Sequence, residues 1–258
     1  MRLYLKFLSL HMKIQMQYKL SFVLIFISQF FRILFLFFGI NFLFTTFKSL
    51  SIFSREEVLI CFATVSFAFS LAQCVSEGFD SFSSEVLNGE FDKVLIRPRS
   101  SMFLIFVSKL EFHQLGSLIQ SILILVYAIL KIRILWNLSK ILVLISMIIS
   151  GVSIFIGLFV LNAAMCFFTI EGISLLNLFI QGGQNFGKYP FAVYGKTILN
   201  FFTYVVPMAL FQYYPLLYLL GKNTSVLNAL APLFAILFLI PCVILWRFGV
   251  SKYQSSGS

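Results

Sequence analysis

The stretch ILVLISMIISGVSIFIGLFVLNAAMCFF, residues 141–168, decides the fold class of this protein. It contains no charged residue, and about 20 mostly apolar residues are enough for a helix to cross the hydrocarbon core of a bilayer. A membrane β-barrel would instead show strands of roughly 10 residues with alternating hydrophobicity, an alternation that the sequence lacks. The stretch therefore predicts a membrane-spanning α-helix from Ile141 to Phe168.

The rest of the chain has the same apolar character. Of its 258 residues, 60% are hydrophobic and only 11% are charged, whereas roughly a quarter of the residues in soluble domains are charged. Further uninterrupted spans are predicted at Ser21 to Phe47, Val58 to Ser76, Leu110 to Leu130 and Ala229 to Phe248. The sequence thus predicts an all-α membrane protein.

The segment between Glu171 and Gly221 is interrupted by glycines and prolines, and two interpretations of it remain open. In the first, a fifth span runs from about Gly172 to Phe186 and is followed by two short re-entrant helices within residues 188–221. Broken helices of this kind are tolerated at membrane depth where protein or a water-filled cavity satisfies the freed backbone groups. In the second, residues 171–196 lie in the cytoplasm and the fifth span is Thr197 to Leu220. Both give six spans, with the two termini on the same side.

The N-terminal residues 1–20 differ from the spans, because polar and apolar residues alternate there at helical spacing. This pattern predicts an amphipathic helix that lies on the membrane surface. Its basic residues, Arg2, Lys6, Lys13 and Lys19, favour the cytoplasmic side. Lysine and arginine totals over all the segments assigned to the two sides hardly discriminate between the two orientations. The N-terminal segment therefore decides the prediction that both termini are cytoplasmic, since the first helix usually dominates orientation.

A polar island, EGFDSFSSEVLNGEFDKVLIRPRS at residues 77–100, stands between the apolar stretches. It holds five of the nine acidic residues of the chain beside three basic ones. Apolar residues at helical spacing from Phe79 to Leu87 predict an amphipathic helix, and Asn88-Gly89 is a typical stop signal. Pro98 disfavours the α region for Arg97 and so predicts a turn. The island is therefore predicted to project mixed charge into the cytoplasm.

One cation is predicted to lie inside a span. Arg32 falls about 16 Å along a helix that starts at Ser21, close to the middle of the membrane. A charged side chain there is costly unless it faces protein or water, which makes it a candidate functional residue. Gln29 lies one turn earlier on a similar face. A place for both residues along a transport path and a structural pairing of Arg32 with a neighbouring helix remain open.

The sequence disfavours disulfides, metal sites, nucleotide binding and nucleic-acid binding. The four cysteines lie in apolar runs without paired spacing, which predicts neither disulfides nor a zinc site, and His11 and His113 do not form a metal-binding pattern. Residues 182–188, GGQNFGK, have the spacing of a phosphate loop, but Tyr189 stands where a Ser or Thr must reach magnesium. The net charge of +10 comes largely from bases at the ends of apolar runs, which predicts contact with anionic lipid rather than nucleic acid. No catalytic residue or cofactor of the chain's own is predicted.

The polar island resembles a known family of membrane proteins. Its end, GEFDKVLIRPRS, resembles the G-x-x-D-x-x-L-x-R-P segment between the second and third helices of six-helix ABC-2 type exporter permeases. The matching positions are Gly89, Asp92, Leu95, Arg97 and Pro98. The resemblance continues through residues 188–194, 205–221 and 246–258, in the same order along the chain.

The resemblance implies six transmembrane helices, a cytoplasmic coupling segment at residues 77–101 after the second helix, and re-entrant helices near the outer leaflet before the sixth. It implies a permease subunit that exports a hydrophobic or amphipathic substrate across the bacterial plasma (inner) membrane. Separate ABC ATPase subunits would bind ATP and magnesium, and a second permease chain, identical or similar, would complete the transporter. The residues expected at or near the ATPase contact are Glu85, Gly89, Asp92, Arg97 and Pro98. The alternative is a non-transporting scaffold that recruits a cytoplasmic protein.

Overall fold

A computed structural model describes residues 2–47, 50, 52–132, 134–169 and 174–254. These residues are almost entirely helical, in chain order α1 (Arg2–Gln15), α2 (Lys19–Thr46), α3 (Arg55–Asp80), α4 (Phe82–Leu87), α5 (Glu90–Leu95), α6 (Ser101–Ser108), α7 (Leu115–Lys131), α8 (Leu138–Met165), α9 (Ser174–Gly187), α10 (Lys196–Tyr204), α11 (Met208–Leu219), α12 (Val226–Ile236) and α13 (Leu239–Lys252). The all-α prediction is confirmed for this part of the chain. Glu171 and Gly172, where the fifth span was predicted to begin, lie outside the described residues.

Five helical segments within the described residues are long and apolar enough to cross a membrane. They are Ser9–Thr46, Arg55–Leu87, Phe112–Lys131, Leu138–Met165 and Val226–Lys252. Each overlaps one of the five uninterrupted spans predicted from the sequence. The second segment is the most buried of the five, which places α3 at the centre of the helical packing.

The two long helices α3 and α8 begin at cap residues that the sequence supplies. Ser54 and Glu57 form a reciprocal capping box, in which the Ser54 N–H donates to Glu57 Oε2 at 2.9 Å. The Asn137 side chain accepts from the N–H of Lys140 at 3.0 Å at the start of α8. These contacts satisfy backbone donors that the first turn of a helix leaves without partners.

The helices define two ends of the molecule. At one end, called the island end, the Tyr253 ring packs 5.0 Å from that of Phe91, and His11 donates to the Val107 carbonyl at 3.2 Å. The described N-terminal and C-terminal helices therefore both reach the island end. The opposite end, called the far end, contains the loop between α2 and α3 and the loop that follows α11.

Lys222 closes the far end. Its Nζ donates to Glu57 Oε2 at 2.5 Å and to the Ile52 carbonyl at 2.7 Å, and it lies 4.4 Å from the centre of the Phe53 ring. These contacts hold the loop after α11 against the start of α3. Because Glu57 also belongs to the capping box, the cation supports the first turn of α3.

Replacing Lys222 by methionine is expected to lower the free energy of unfolding by about 1 kcal/mol, since the pair is partly exposed to solvent. The measurement is the thermal unfolding midpoint of the purified chain in detergent. Lys196→Met, which changes an exposed lysine at the start of α10, is the matched control. Equal midpoints for Lys222→Met and wild type would contradict this role.

The interrupted segment forms three short helices. α9 begins near the island end, where Asn162 donates to the Asn177 side chain at 3.2 Å, and it finishes at Gly187, which packs against Val65 halfway along α3. α10 then runs back beside α9, with the rings of Phe179 and Phe201 stacked at 5.8 Å. Only α11, in the same core cluster as the start of α3, extends to the far end. The α9–α10 pair thus lies in the half nearer the polar island.

The second interpretation placed a span from Thr197 to Leu220, and the structure divides that stretch into two helices. α10 ends at Tyr204 and α11 starts at Met208. Pro207 explains the break, because proline has no N–H to donate and disfavours a helical conformation in the residue before it. In the first interpretation the span ends at Phe186, and α9 covers the described part of that span. However, α9 alone is only about 21 Å long, which is shorter than the hydrocarbon core of a typical bilayer.

Candidate functional site: the polar island

The polar island folds into two short helices and a turn. α3 continues into it as far as Asp80, and a break at Ser81 separates α3 from α4, so the predicted helix from Phe79 to Leu87 is divided in two. The predicted stop is present: Gly89 takes a left-handed conformation with a φ of 66°. Glycine adopts this conformation without the steric cost that a side chain would bring. The chain can therefore turn sharply from α4 into α5.

An aromatic cluster fixes these helices to the ends of the long ones. The rings of Phe82 and Phe91 lie 5.1 Å apart, edge to face. Phe91 also packs against Phe167, just beyond α8, at 5.3 Å, and against Tyr253, just beyond α13, at 5.0 Å. Trp246 in α13 lies 5.1 Å from Phe82. Such ring contacts add to the energy of burying apolar area, so they hold the island against the ends of α8 and α13.

Glu85 is not presented to the surface. Only 6% of the residue is exposed, and its carboxylate forms an ion pair of 3.4 Å with Lys109. Lys109 also donates to the Ser81 hydroxyl at 2.9 Å. The pair therefore joins the back of α4 to the segment that follows α6, beneath the predicted contact surface.

The longest run of exposed residues in the island is its last turn. Ile96 is 84% exposed, and Arg97, Pro98 and Arg99 are exposed beside it. The Arg99 N–H donates to the Arg97 carbonyl at 2.7 Å, which tightens the turn at the proline. We call residues 95–99 the island tip. It combines two cations with two exposed apolar side chains, Leu95 and Ile96, as protein contact surfaces often do.

Gly89 and Asp92 are intermediate in exposure and lie behind the island tip. Burial and the neighbouring Asp92 carboxylate raise the pKa of the Tyr253 phenol. Asp92 therefore acts on the C-terminal segment. Of the five residues expected at the ATPase contact, only Arg97 and Pro98 are exposed.

The predicted interfacial helix at residues 1–20 corresponds to α1 and the turn after it, and these meet the segment that follows α6. The Gln15 side chain donates to the Leu110 carbonyl and accepts from the Phe112 N–H at 3.1 Å. Burial alone would raise the pKa of nearby Glu111, but hydrogen bonds from His113 and Gln114 hold that pKa below its usual value. The island and α1 are thus joined through residues 107–114.

Gln29 and Arg32 lie apart from the island, in the middle of α2. Arg32 Nε and Nη2 are buried and have no hydrogen-bond partner among the described residues, and the same holds for Gln29 Oε1. The structural pairing considered for Arg32 is therefore absent from this part of the chain.

Sequence reasoning missed several residues that hold the island in place. Lys109 pairs with a carboxylate 24 positions earlier, and Phe91, Phe167, Trp246 and Tyr253 meet from three separate segments. A run of apolar residues at helical spacing predicts a buried face but does not indicate which distant face covers it. The only local signal of this aromatic cluster was the density of aromatic residues near the C-terminal end of the chain.

Comparison with known proteins identifies the family of the chain. The family model described as ABC-2 family transporter protein matches residues 30–257, which include all of the island, α3 and α7 to α13. No curated protein and no solved structure matches the chain significantly. The match covers most of the chain and includes the predicted coupling segment. The chain therefore belongs to the ABC-2 family of transporter proteins and is a membrane permease of that family.

Proposed function

We propose that this permease is the membrane subunit of an ATP-driven exporter and that a separate ATPase subunit docks on the island tip. The observation that supports this most directly is the exposed pair of arginines on a turn that buried contacts hold in place. Charged groups at the rim of an interface specify the partner and its register more than they add affinity. ATP and magnesium are bound by the ATPase, and this chain supplies no catalytic group.

Coupling is mechanical in this proposal. Closure of the ATPase subunits moves the island tip, and the aromatic cluster passes the displacement to the ends of α8 and α13. The Lys109–Glu85 pair passes it to α7 through the short segment after α6. Only different contacts with the two states of the ATPase can shift the permease between conformations. In this mechanism Glu85 positions the island, whereas Arg97 and Pro98 contact the ATPase.

The chain makes six passages in the proposed topology. Five are the long helical segments, and α9 to α11 together make the remaining one. In support, α9 starts beside Asn162 near the island end, and Leu219 at the end of α11 belongs to the same cluster as Val58 at the far end. Both termini then lie with the island on the cytoplasmic side of a bacterial plasma membrane.

A second permease chain completes the transporter, either an identical copy or a similar protein. The substrate is hydrophobic or amphipathic, in keeping with the apolar walls of the helices. Its path passes Gln29 and Arg32, because these groups supply polar atoms without partners at the middle of α2. The proposed direction of transport is export, because the chain resembles exporter permeases of this family.

Reversing the charge of the island tip tests the docking. Arg97→Glu combined with Arg99→Glu is expected to reduce the amount of co-purified ATPase at least about tenfold, because like charges placed across an interface cost several kcal/mol. The measurement is affinity purification of the tagged chain from its native membranes, with the ATPase identified by its Walker motif in mass spectrometry.

Lys131→Glu, an exposed lysine at the end of α7 away from the island, is the matched control and should retain the ATPase. If the double reversal retains the ATPase in wild-type amount and its turnover stays coupled to the permease, the island tip is not the docking site. A tagged chain that captures a cytoplasmic protein without ATPase activity would favour a scaffold over an exporter.

A further inference from the structure

An apolar groove lies between α9 and α10. Its volume is about 470 Å³, and its lining residues come from both helices, within 178–186 and 197–202. Gly183 and Phe202 are buried at its base, whereas Leu178 and Phe186 are exposed at its edge. Among the described residues that line the groove, only Thr197 has a polar side chain. The groove is therefore an apolar site with a closed base and an open edge.

A glycine keeps the middle of the groove open. Leu178, Gly182 and Phe186 are spaced four residues apart and so lie on the same face of α9. A Cβ at Gly182 would meet nothing within 4 Å. The stacked rings of Phe179 and Phe201, 5.8 Å apart, hold the two walls together. The space over Gly182 is thus a gap between large side chains and is not filled by the protein.

The length and direction of the groove match those of a lipid chain. From Leu178 to Phe186 the groove runs about 12 Å along α9, close to the hydrocarbon depth of one leaflet, about 15 Å or half of a core of about 30 Å. α9 begins near the island end beside Asn162 and finishes beside Val65, halfway along α3. The groove therefore lies in the leaflet on the island side and follows the direction of the lipid chains there.

Other occupants fit the groove poorly. A buried water molecule needs about two to four polar partners, which the walls do not supply. A helix with its side chains is about 10–12 Å wide and rises about 5.4 Å per turn, so a groove of about 470 Å³ holds only about one turn of it. One turn is too little for a stable contact with a helix of a second permease chain. A hydrocarbon chain is both apolar and slender enough.

We propose that the groove holds one acyl chain of a phospholipid from the leaflet on the island side. The chain passes over Gly182 and packs against the aromatic walls of α9 and α10. An empty space of this size would leave its lining atoms without contacts on one side, and the acyl chain restores those contacts. This lipid site does not depend on docking of an ATPase or on transport.

A photoreactive phospholipid tests the site. The full chain is purified in detergent and receives a limiting amount of phosphatidylcholine that carries a diazirine in the middle of one acyl chain. After illumination, mass spectrometry of the peptides gives the labelling of each residue. The groove residues are expected to be labelled at least about fivefold more than the exposed apolar residues of α12, since a groove buries more of the acyl chain than the convex face of a single helix does.

Filling the gap should remove the lipid. Gly182→Leu is expected to reduce labelling of the groove about tenfold, the ratio lost when about two methylene groups no longer pack in an apolar site. Gly182→Ala adds a single methyl group into open space and should reduce the labelling less, without harm to the fold. Gly39→Leu is the matched control, because Gly39 is exposed on α2 and a Cβ there also meets nothing within 4 Å. This variant should be labelled like the wild type.

Three results would overturn the proposal. The first is equal labelling of the groove and α12 in the wild type, and the second is unchanged groove labelling in monodisperse Gly182→Leu. The third is labelling of the groove by a diazirine fatty acid but not by the phospholipid, which would assign the groove to a free amphiphile. Because no ATPase is present, Arg97→Glu with Arg99→Glu should be labelled like the wild type even if docking fails, so the two proposals are tested separately.

A photoreactive amino acid tests for the second permease chain directly. Benzophenone-alanine in place of Phe201 is expected to attach one phospholipid, seen as the corresponding increase in the mass of the intact chain. If a second copy of the chain fills the groove instead, the product is a crosslinked dimer without lipid. That product would contradict the lipid site.

Discussion

Replacing Phe91 by alanine is expected to lower the free energy of unfolding by about 3–5 kcal/mol, the usual cost of removing a large buried aromatic side chain. Phe91 is fully buried and packs against rings from α4, the end of α8 and the chain end. The substitution leaves a cavity where these segments meet. In the proposed mechanism it also breaks the connection between the island and α8, so ATP turnover should continue with greatly reduced transport.

Ile96→Ala is the matched control for this experiment. Ile96 belongs to the same island but is 84% exposed. Its truncation should leave the unfolding midpoint unchanged while it weakens ATPase binding. Thermal unfolding of the purified chain gives the first quantity, and co-purification gives the second. A lower unfolding midpoint in Ile96→Ala, or a wild-type midpoint in Phe91→Ala, would contradict the role given to that residue.

Gly78→Ala is expected to have an effect of similar size through the opposite change, an added atom. A Cβ at this position would overlap the backbone carbonyl oxygen of Ile105 and lie 2.6 Å from the Ser108 hydroxyl. A backbone atom cannot move aside as a side chain end can, so α3 and α6 must separate. Overpacking usually costs about 1–3 kcal/mol, and we expect the upper part of that range or more, because the clash is with backbone.

The control for Gly78 is Gly182→Ala in α9, where a Cβ would meet nothing within 4 Å. Alanine is the better helix former by about 1 kcal/mol, so this variant should be as stable as the wild type or slightly more so. The measurement is the thermal unfolding midpoint of both variants and of the wild type in the same detergent. If Gly78→Ala unfolds at the wild-type temperature, the close packing of α6 on α3 is not needed for stability.

The fold could be predicted where the sequence carries a local signal. Uninterrupted apolar length identified the five long segments, and Ser54 with Glu57 three residues later marks the start of α3. The Gly/Pro-rich segment could not be resolved in this way, because its helices are short and depend on neighbours. Gln212, for example, holds the turn after α9 through two carbonyls that lie 23 and 25 residues away.

In the candidate site, too, the sequence predicted the placement of some residues and not of others. Arg97 and Pro98 were predicted to be part of a projecting turn, and both are exposed. Glu85 was expected near the same contact, but it is buried against Lys109. An isolated charge in a polar segment gives no indication of its partner, since a carboxylate is compatible with solvent and with a buried cation alike.

The sequence by itself determined that this protein is a helical membrane protein with one polar island, because membrane insertion depends on the apolar length and charge of each segment. Only the tertiary structure decided that the island rests on Trp246 and Tyr253. Those contacts join residues more than 150 positions apart in the chain. Their formation depends on how the helices pack, and no local pattern records that packing.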